Sequence, residues 1–157
     1  MNTADLSDAH PDEVQIPEPI FGDFGGEIKF SGPIATVKTF EDNTLVRAML
    51  ETPGKGRVLV VDGGASMRCA LLGDNLAKLA IDNGWAGIVI NGCLRDSEAI
   101  GDLPIGVKAL AVYPRKSLKK NYGWTEVPVT FAGVTFTPGH YLYADMDGIV
   151  VSAKALA

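Results

Sequence analysis

Apolar positions along this chain follow two rhythms, one helical and one extended, and they alternate through its first two thirds. Leu45, Val46, Met49 and Leu50 recur at helical spacing and predict a helix from Thr44 to about Glu51, with Glu41-Asp42-Asn43 before it and Pro53-Gly54 after it. Leu76, Leu79 and Ala80 predict a second helix that starts at Gly73-Asp74-Asn75 and closes at Asn83-Gly84. Between the helices lie apolar runs of strand length: Arg57 to Asp62, Trp85 to Ile90 and Val107 to Tyr113. Ile88, Val89 and Ile90 stand together without alternation, as in a strand covered on both faces, and Gly92 is expected to end that strand. Upstream, Ile28 to Phe30 and Ile34 to Lys38 read as two strands around a Ser31-Gly32-Pro33 connection.

The last third changes rhythm. VPVTFAGVTF and YLYADMDGIVVSA read as successive strands, with turns at Ala132-Gly133, Pro138-Gly139 and Asp147-Gly148. Residues 1–19, broken by Pro11, Pro17 and Pro19 and with a short helix possible around Asp5 to Ala9, read as an arm docking on a larger body. Together the elements predict one α/β (mixed α+β) domain over residues 1–157, a layered mixed sheet with helices on one side.

Candidate chemistry gathers where a strand end meets a helix start. Arg95-Asp96 falls just beyond the strand that follows the Gly73-Asp74-Asn75 helix start. Open α/β sheets take ligands at the carboxyl ends of their strands, and a helix N-terminus offers free N–H groups, so an anionic small molecule is the expected ligand. A solvated or salt-bridged Arg-Asp pair is the alternative reading. Gly63-Gly64 closes another strand and reads equally as a place of close backbone approach or as a plain turn.

Composition narrows the function classes. The 157 residues are 46% hydrophobic and 21% charged, as in an ordinary globular protein, and the net charge of −5 argues against nonspecific nucleic-acid binding. Arg115, Lys116, Lys119 and Lys120 are the one basic cluster, read as a solvated face with a phosphate- or partner-binding patch as the alternative. Cys69 and Cys93 have no metal-ligand spacing and read as reduced core thiols. His10 and His140 give a nucleophilic cysteine poor support. Asp145 and Asp147 lack the remaining ligands of a calcium loop and read as a hairpin turn. No apolar run has the length of a membrane span, and a cytoplasmic, membrane-free protein is expected.

The segment VLVVDGGASMRCALLGDNLAKLAIDNGWAGIVINGCLRD, residues 58–96, resembles the RraA-like family, which contains regulators of ribonuclease E activity and metal-dependent 4-hydroxy-4-methyl-2-oxoglutarate aldolases. The resemblance extends through residues 24–43, GVKALAVYPRKS (106–117) and residues 127–152. It implies a swivelling β/β/α sandwich, a ring-shaped homotrimer with sites near subunit interfaces, and a lyase that releases pyruvate through a metal-stabilised enolate. Oxaloacetate decarboxylation follows the same enolate logic. By matched position, Asp96 is the implied metal residue for Mg²⁺ or Mn²⁺, and Arg95 the residue that holds the oxoacid. Gly73, Asp74, Asn75 and Leu76 form the implied substrate loop, with Asp74 holding the water that takes the substrate proton. No lysine matches a Schiff-base role. Two departures stand out. Longer aldolases of the family supply a C-terminal glutamate to a neighbouring site, whereas this sequence ends at Ala157, and His140 stands where many relatives have an acid. The other functional class is a non-catalytic regulator that binds ribonuclease E; the intact Arg95-Asp96 pair favours the enzyme.

Overall fold

The computed structural model describes residues 2–157. In chain order the elements are α1 (Thr3–Ala9), β1 (Val14–Gln15), β2 (Gly22–Asp23), β3 (Phe30–Lys38), α2 (Thr44–Leu50), β4 (Val58–Asp62), β5 (Ala70–Leu72), α3 (Asp74–Asp82), β6 (Gly87–Leu94), α4 (Ser97–Gly101) and β7 (Gly106–Val112). The strand-rich end comprises β8 (Trp124–Thr125), β9 (Val129–Phe131), β10 (Val134–Phe136), β11 (Tyr141–Asp145) and β12 (Gly148–Ser152).

A parallel run β3-β4-β6-β7 forms the middle of the main sheet, whose order is β1-β12-β11-β3-β4-β6-β7-β2. Its strands are apolar throughout because both faces are covered. Val58 and Val60 of β4 face a core shared with Phe131, Phe136 and Leu142. Leu59 and Val61, on the opposite face, join Val46, Leu50, Ala77 and Ala80 of α2 and α3. The result is helices on one side of the sheet, as the residue pattern predicts, and the β9-β10 hairpin with β11 and β12 on the other, the β/β/α layering that the family resemblance implies. Leu59 has no exposed surface; burying such a side chain contributes about 1.5–3 kcal/mol.

Phe30 fixes where the parallel strands begin. Its ring lies against Gly87 and Gly106, which are paired across β6 and β7, and a Cβ at either glycine would sit inside the ring's contact distance. Only glycines admit the ring there.

Three strand expectations need correction. β3 is a single unbroken strand: residues 30–33 pair with β11, residues 34–38 pair with β4, and Pro33 sits where the partner changes. β6 starts later than Trp85 and runs through Gly92 to Leu94. Trp85 instead packs beneath the Arg57 guanidinium, and its indole N–H donates to the Thr52 carbonyl at 3.1 Å. The short strands β5 and β8 were not foreseen; β5 extends the sheet beside the end of β6.

The N-terminal segment is tied down by Asp145. Its carboxylate accepts from the Thr3 amide at 2.7 Å and the Thr3 hydroxyl at 2.6 Å. Burial pushes the Asp145 carboxyl up, but hydrogen bonds from the Thr3 hydroxyl and amide and from the Asp147 and Gly148 amides bring it below its ordinary range. Leu6 is fully buried, and β1 pairs with β12. Nearby, the buried Lys108 ammonium donates to Asp23 and to the Asp145 carbonyl, both at 2.8 Å. Asp145 and Asp147 thus belong to a turn that anchors the arm. Among the described residues no helix is long and apolar enough to cross a membrane.

Candidate active site

β5 and β6 run in parallel and end together, so Leu72 and Leu94 deliver the next residues of each strand to one place. The Arg95 amide donates to the Leu72 carbonyl at 2.9 Å and locks the two exits side by side. Gly73 follows Leu72 as the N-cap of α3, and Asp96 follows Arg95 in the left-handed backbone region, φ 57° and ψ 38°. Aspartate tolerates that conformation better than most residues. The turn brings an Asp96 carboxylate oxygen to 3.1 Å from the Asp74 amide, which donates to it. A Cβ at position 73 would stand 2.7 Å from that same oxygen, so the glycine leaves the room that the contact occupies.

These residues line a cavity of about 180 Å³. Gly73, Asp74, Asn75, Leu76, Arg95 and Asp96 all lie on it. In the first turn of α3, the Asn75 and Leu76 amides have no carbonyl four residues back within the helix to accept them. The same helix end carries the positive pole of the backbone dipoles. Asp74 sits in that turn and pairs with Lys78 at 3.7 Å, one helical turn along. Arg95 is half-buried, and among the described residues its guanidinium has only a long contact, 3.5 Å, to the Pro114 carbonyl. Its fork is therefore largely free for a ligand carboxylate.

Sequence reasoning missed part of the lining. Lys116 and Lys119 line this cavity, although the basic cluster they belong to reads as a solvated face, and Arg47 reaches it from α2. The segment that carries the lysines is stitched in place at several points. Ala70 bridges Lys116, and the Ala70 amide donates to the Arg115 carbonyl at 2.8 Å. The Ser117 hydroxyl donates to Asn43 at 2.9 Å, and the buried Asp42 carboxylate accepts from the Lys120 and Tyr122 amides at 2.9 and 3.0 Å. Burial raises the Asp42 carboxyl, yet these bonds and those from Thr44 outweigh it and bring it down to about 2. The signal available in the sequence was the cluster itself, together with its place in the GVKALAVYPRKS segment.

Other candidates fall elsewhere. Gly63-Gly64 is a place of close backbone approach within the chain: a Cβ at Gly63 would stand 2.5 Å from the Leu71 side chain and 2.9 Å from the Asn91 carbonyl. The Asp62 carboxylate accepts from the Gly64 amide at 3.0 Å and from Asn91 at 3.1 Å, and neither glycine lines the cavity. His10 pairs with Glu13, His140 lies in the turn before β11, and neither reaches the cavity. Cys69 and Cys93 are buried and free, and burial pushes both thiols up.

Strand-end geometry of this kind invites comparison with known proteins. The family model described as RraA-like, Aldolase/RraA, matches residues 3–151. The chain belongs to the RraA-like family. A relative from Aromatoleum aromaticum, which bears the name "Putative 4-hydroxy-4-methyl-2-oxoglutarate aldolase", is 58% identical over 98% of this chain and 97% of its own length. A relative of the same name from Alkalilimnicola ehrlichii is also 58% identical, over 98% of this chain and 96% of its own. Among solved structures, the RNA-processing inhibitor RraA from Thermus thermophilus superposes with a TM-score of 0.97 at 45% identity, covering 100% of this chain and 95% of that one. A Geobacillus kaustophilus structure, described as an S-adenosylmethionine: 2-dimethylmenaquinone methyltransferase, gives 0.98 at 54% identity, covering 99% and 97%.

The donor set of this RraA-like site limits the metal it can take. Among the described residues no three His, Cys, Asp or Glu side chains cluster for a metal. Asp96 is exposed and gives one carboxylate oxygen to the Asp74 amide, leaving the other for a cation. Zinc sites take three or four protein ligands, whereas Mg²⁺ keeps several waters and leans on one or two carboxylates. The residues present fit an oxygen-ligated, largely hydrated cation.

Proposed function

We propose that this RraA-like protein is a divalent-metal-dependent aldolase that cleaves 4-hydroxy-4-methyl-2-oxoglutarate to two pyruvates, with oxaloacetate decarboxylation as a second activity. The observation that carries the reading is the convergence of the Arg95 guanidinium, the Asp96 carboxylate and the first turn of α3 on one small cavity. Asp96 would hold the cation, Mg²⁺ or Mn²⁺, which when bound would supply Lewis-acid polarisation of the substrate's 2-oxo group. The Asn75 and Leu76 amides and the Arg95 fork receive carboxylate oxygens and fix the acid in register. Asp74, through a water, takes the 4-hydroxyl proton. The C3–C4 bond then breaks as the 4-oxygen forms its carbonyl, its electron pair delocalises over C3 and the 2-oxo oxygen as an enolate, and the proton taken from the 4-hydroxyl returns to C3 to complete the first pyruvate. The remaining carbons leave as the second.

Cavity size favours this substrate class. About 180 Å³ suits a six-carbon acid and falls below the roughly 300–1,000 Å³ usual for drug-sized ligands. The direct test is pyruvate release by purified protein with Mg²⁺ or Mn²⁺, then with excess EDTA. Full turnover in chelator, or trapping of substrate on a lysine by borohydride, would sink the metal-dependent mechanism.

A second reading, a regulator that binds ribonuclease E, rests on the likeness to the Thermus inhibitor. It would use outer surface and is compatible with catalysis. Absence of binding to ribonuclease E in a pull-down with purified components would remove it. Like the rest of its family by resemblance, the protein is proposed to work as a cytoplasmic homotrimer.

A further inference from the structure

The cations on the cavity outnumber what one carboxylate needs. Arg47, Arg95, Lys116 and Lys119 line it, against only Asp74 and Asp96. Asp74 already faces Lys78, and Arg47 pairs with Glu51 at 3.3 Å. Lys116 and Lys119, by contrast, have no carboxylate within 4 Å among the described residues. Their position is not that of a loose surface loop. Ala70 on one side, and Asn43 with Asp42 on the other, hold the backbone of residues 115–122 against β5 and the start of α2.

We infer that Lys116 and Lys119 are specificity-determining residues that bind the distal carboxylate of the oxoacid, so that the site selects 2-oxo dicarboxylates over 2-oxo monocarboxylates. The inference rests on the proposed aldolase reading for the identity of the first carboxylate's partners, Arg95 and the α3 amides. Those partners serve the 2-oxo end of the acid. The lysines serve the distal carboxylate, and two flexible ammonium groups suit a carboxylate whose position varies with the length of the acid.

The test separates this inference from the aldolase reading. Binding of 2-oxoglutarate and of 2-oxobutyrate, neither of which has a 4-hydroxyl to cleave, is measured by calorimetry with Mg²⁺ present. The proteins are wild type, Lys116→Met/Lys119→Met and Lys116→Arg/Lys119→Arg. Both lysines are exposed, so the variants fold. Wild type should prefer the dicarboxylate by about ten-fold or more, the Met pair should reduce that preference to within about three-fold, and the Arg pair should keep most of it. Affinity for 2-oxobutyrate should barely move in any of them. No preference in wild type, or a preference that survives in the Met pair, overturns the inference. Pyruvate release from 4-hydroxy-4-methyl-2-oxoglutarate is followed on the same samples. Absent turnover with the binding pattern intact would overturn the aldolase reading alone; turnover with an unaltered preference would overturn only the role of the lysines.

Discussion

Asp42→Asn probes the device that holds the cavity's lysine-bearing wall. Asp42 has no exposed surface. One of its carboxylate oxygens accepts from the Thr44 amide at 2.9 Å and hydroxyl at 2.6 Å, the other from the Lys120 and Tyr122 amides. Asparagine keeps an oxygen for Thr44 but turns an NH₂ toward two amide donors. Two partly buried N–H groups then lack an acceptor, at about 1–3 kcal/mol each. The carboxyl's displacement gives an independent figure. A fall from its ordinary 3.8 to about 2, at about 1.4 kcal/mol per unit, is worth roughly 2–3 kcal/mol. The first route spans about 2–6 kcal/mol and the second falls at its lower end, so about 2–3 kcal/mol is expected at pH 7.

The sign of the pH effect follows from the depressed carboxyl. Its contribution is fully present above the unfolded value near 3.8 and is lost as pH falls toward 2. Urea unfolding, followed by fluorescence of Trp85 and Trp124 at one fixed protein concentration, should place the variant's midpoint about 1–2 M below wild type at pH 7. The gap should narrow by about 1 kcal/mol at pH 3, because the wild type loses its advantage while asparagine does not titrate. A gap under about 0.5 kcal/mol at pH 7, or one that stays constant with pH, would refute the role given to Asp42.

Three further outcomes are expected. Gly73→Ala keeps the fold, since the backbone there is extended (φ −129°), but its Cβ displaces the Asp96 carboxylate; pyruvate release should drop about ten-fold or more with little change in Tm, and an unaffected rate would mean that the Asp74–Asp96 contact is incidental. Arg95→Lys retains charge without the fork and should lose on the order of 10²–10³ in kcat/KM, measured at saturating metal, whereas a variant within a few fold would make Arg95 a surface residue. Light scattering at micromolar concentration should give three times the chain mass, and a monomer would count against the trimer.

The layered fold was legible because its signals are local. Runs such as VLVV and IVIN announce strands covered on both faces, and the spacing of Leu76, Leu79 and Ala80 announces the inward face of α3. The errors occurred where tertiary contacts satisfy residues that read as breakers. Asn91-Gly92 looks like a strand end, yet the Asn91 side-chain amide donates to Asp62, and the buried strand runs on. Ser31-Gly32-Pro33 looks like a turn, yet β3 merely changes partners there. At the site, Arg95, Asp96 and the α3 start could be placed together from the helix start, the end of the strand after it and the family resemblance, whereas β5, which brings those two ends side by side, could not be read. Arg47 could not, because nothing in the sequence says that the start of α2 approaches β5. Lys116 and Lys119 are exposed, as the solvated-face reading expected, but that they line the cavity was not legible, because a lysine cluster on its own does not reveal which wall it faces.

Asp96→Asn tests the central claim most directly. Asparagine accepts the left-handed backbone at this position and can still receive the Asp74 amide, so the turn should persist. What disappears is the negative charge that draws a divalent cation. Pyruvate release from 4-hydroxy-4-methyl-2-oxoglutarate, measured on both proteins with Mg²⁺ and Mn²⁺, should fall by about 100-fold or more, with circular dichroism and molecular mass unchanged. Turnover equal to wild type in the Asn variant would contradict the assignment of Asp96 and the metal-dependent aldolase account built on it.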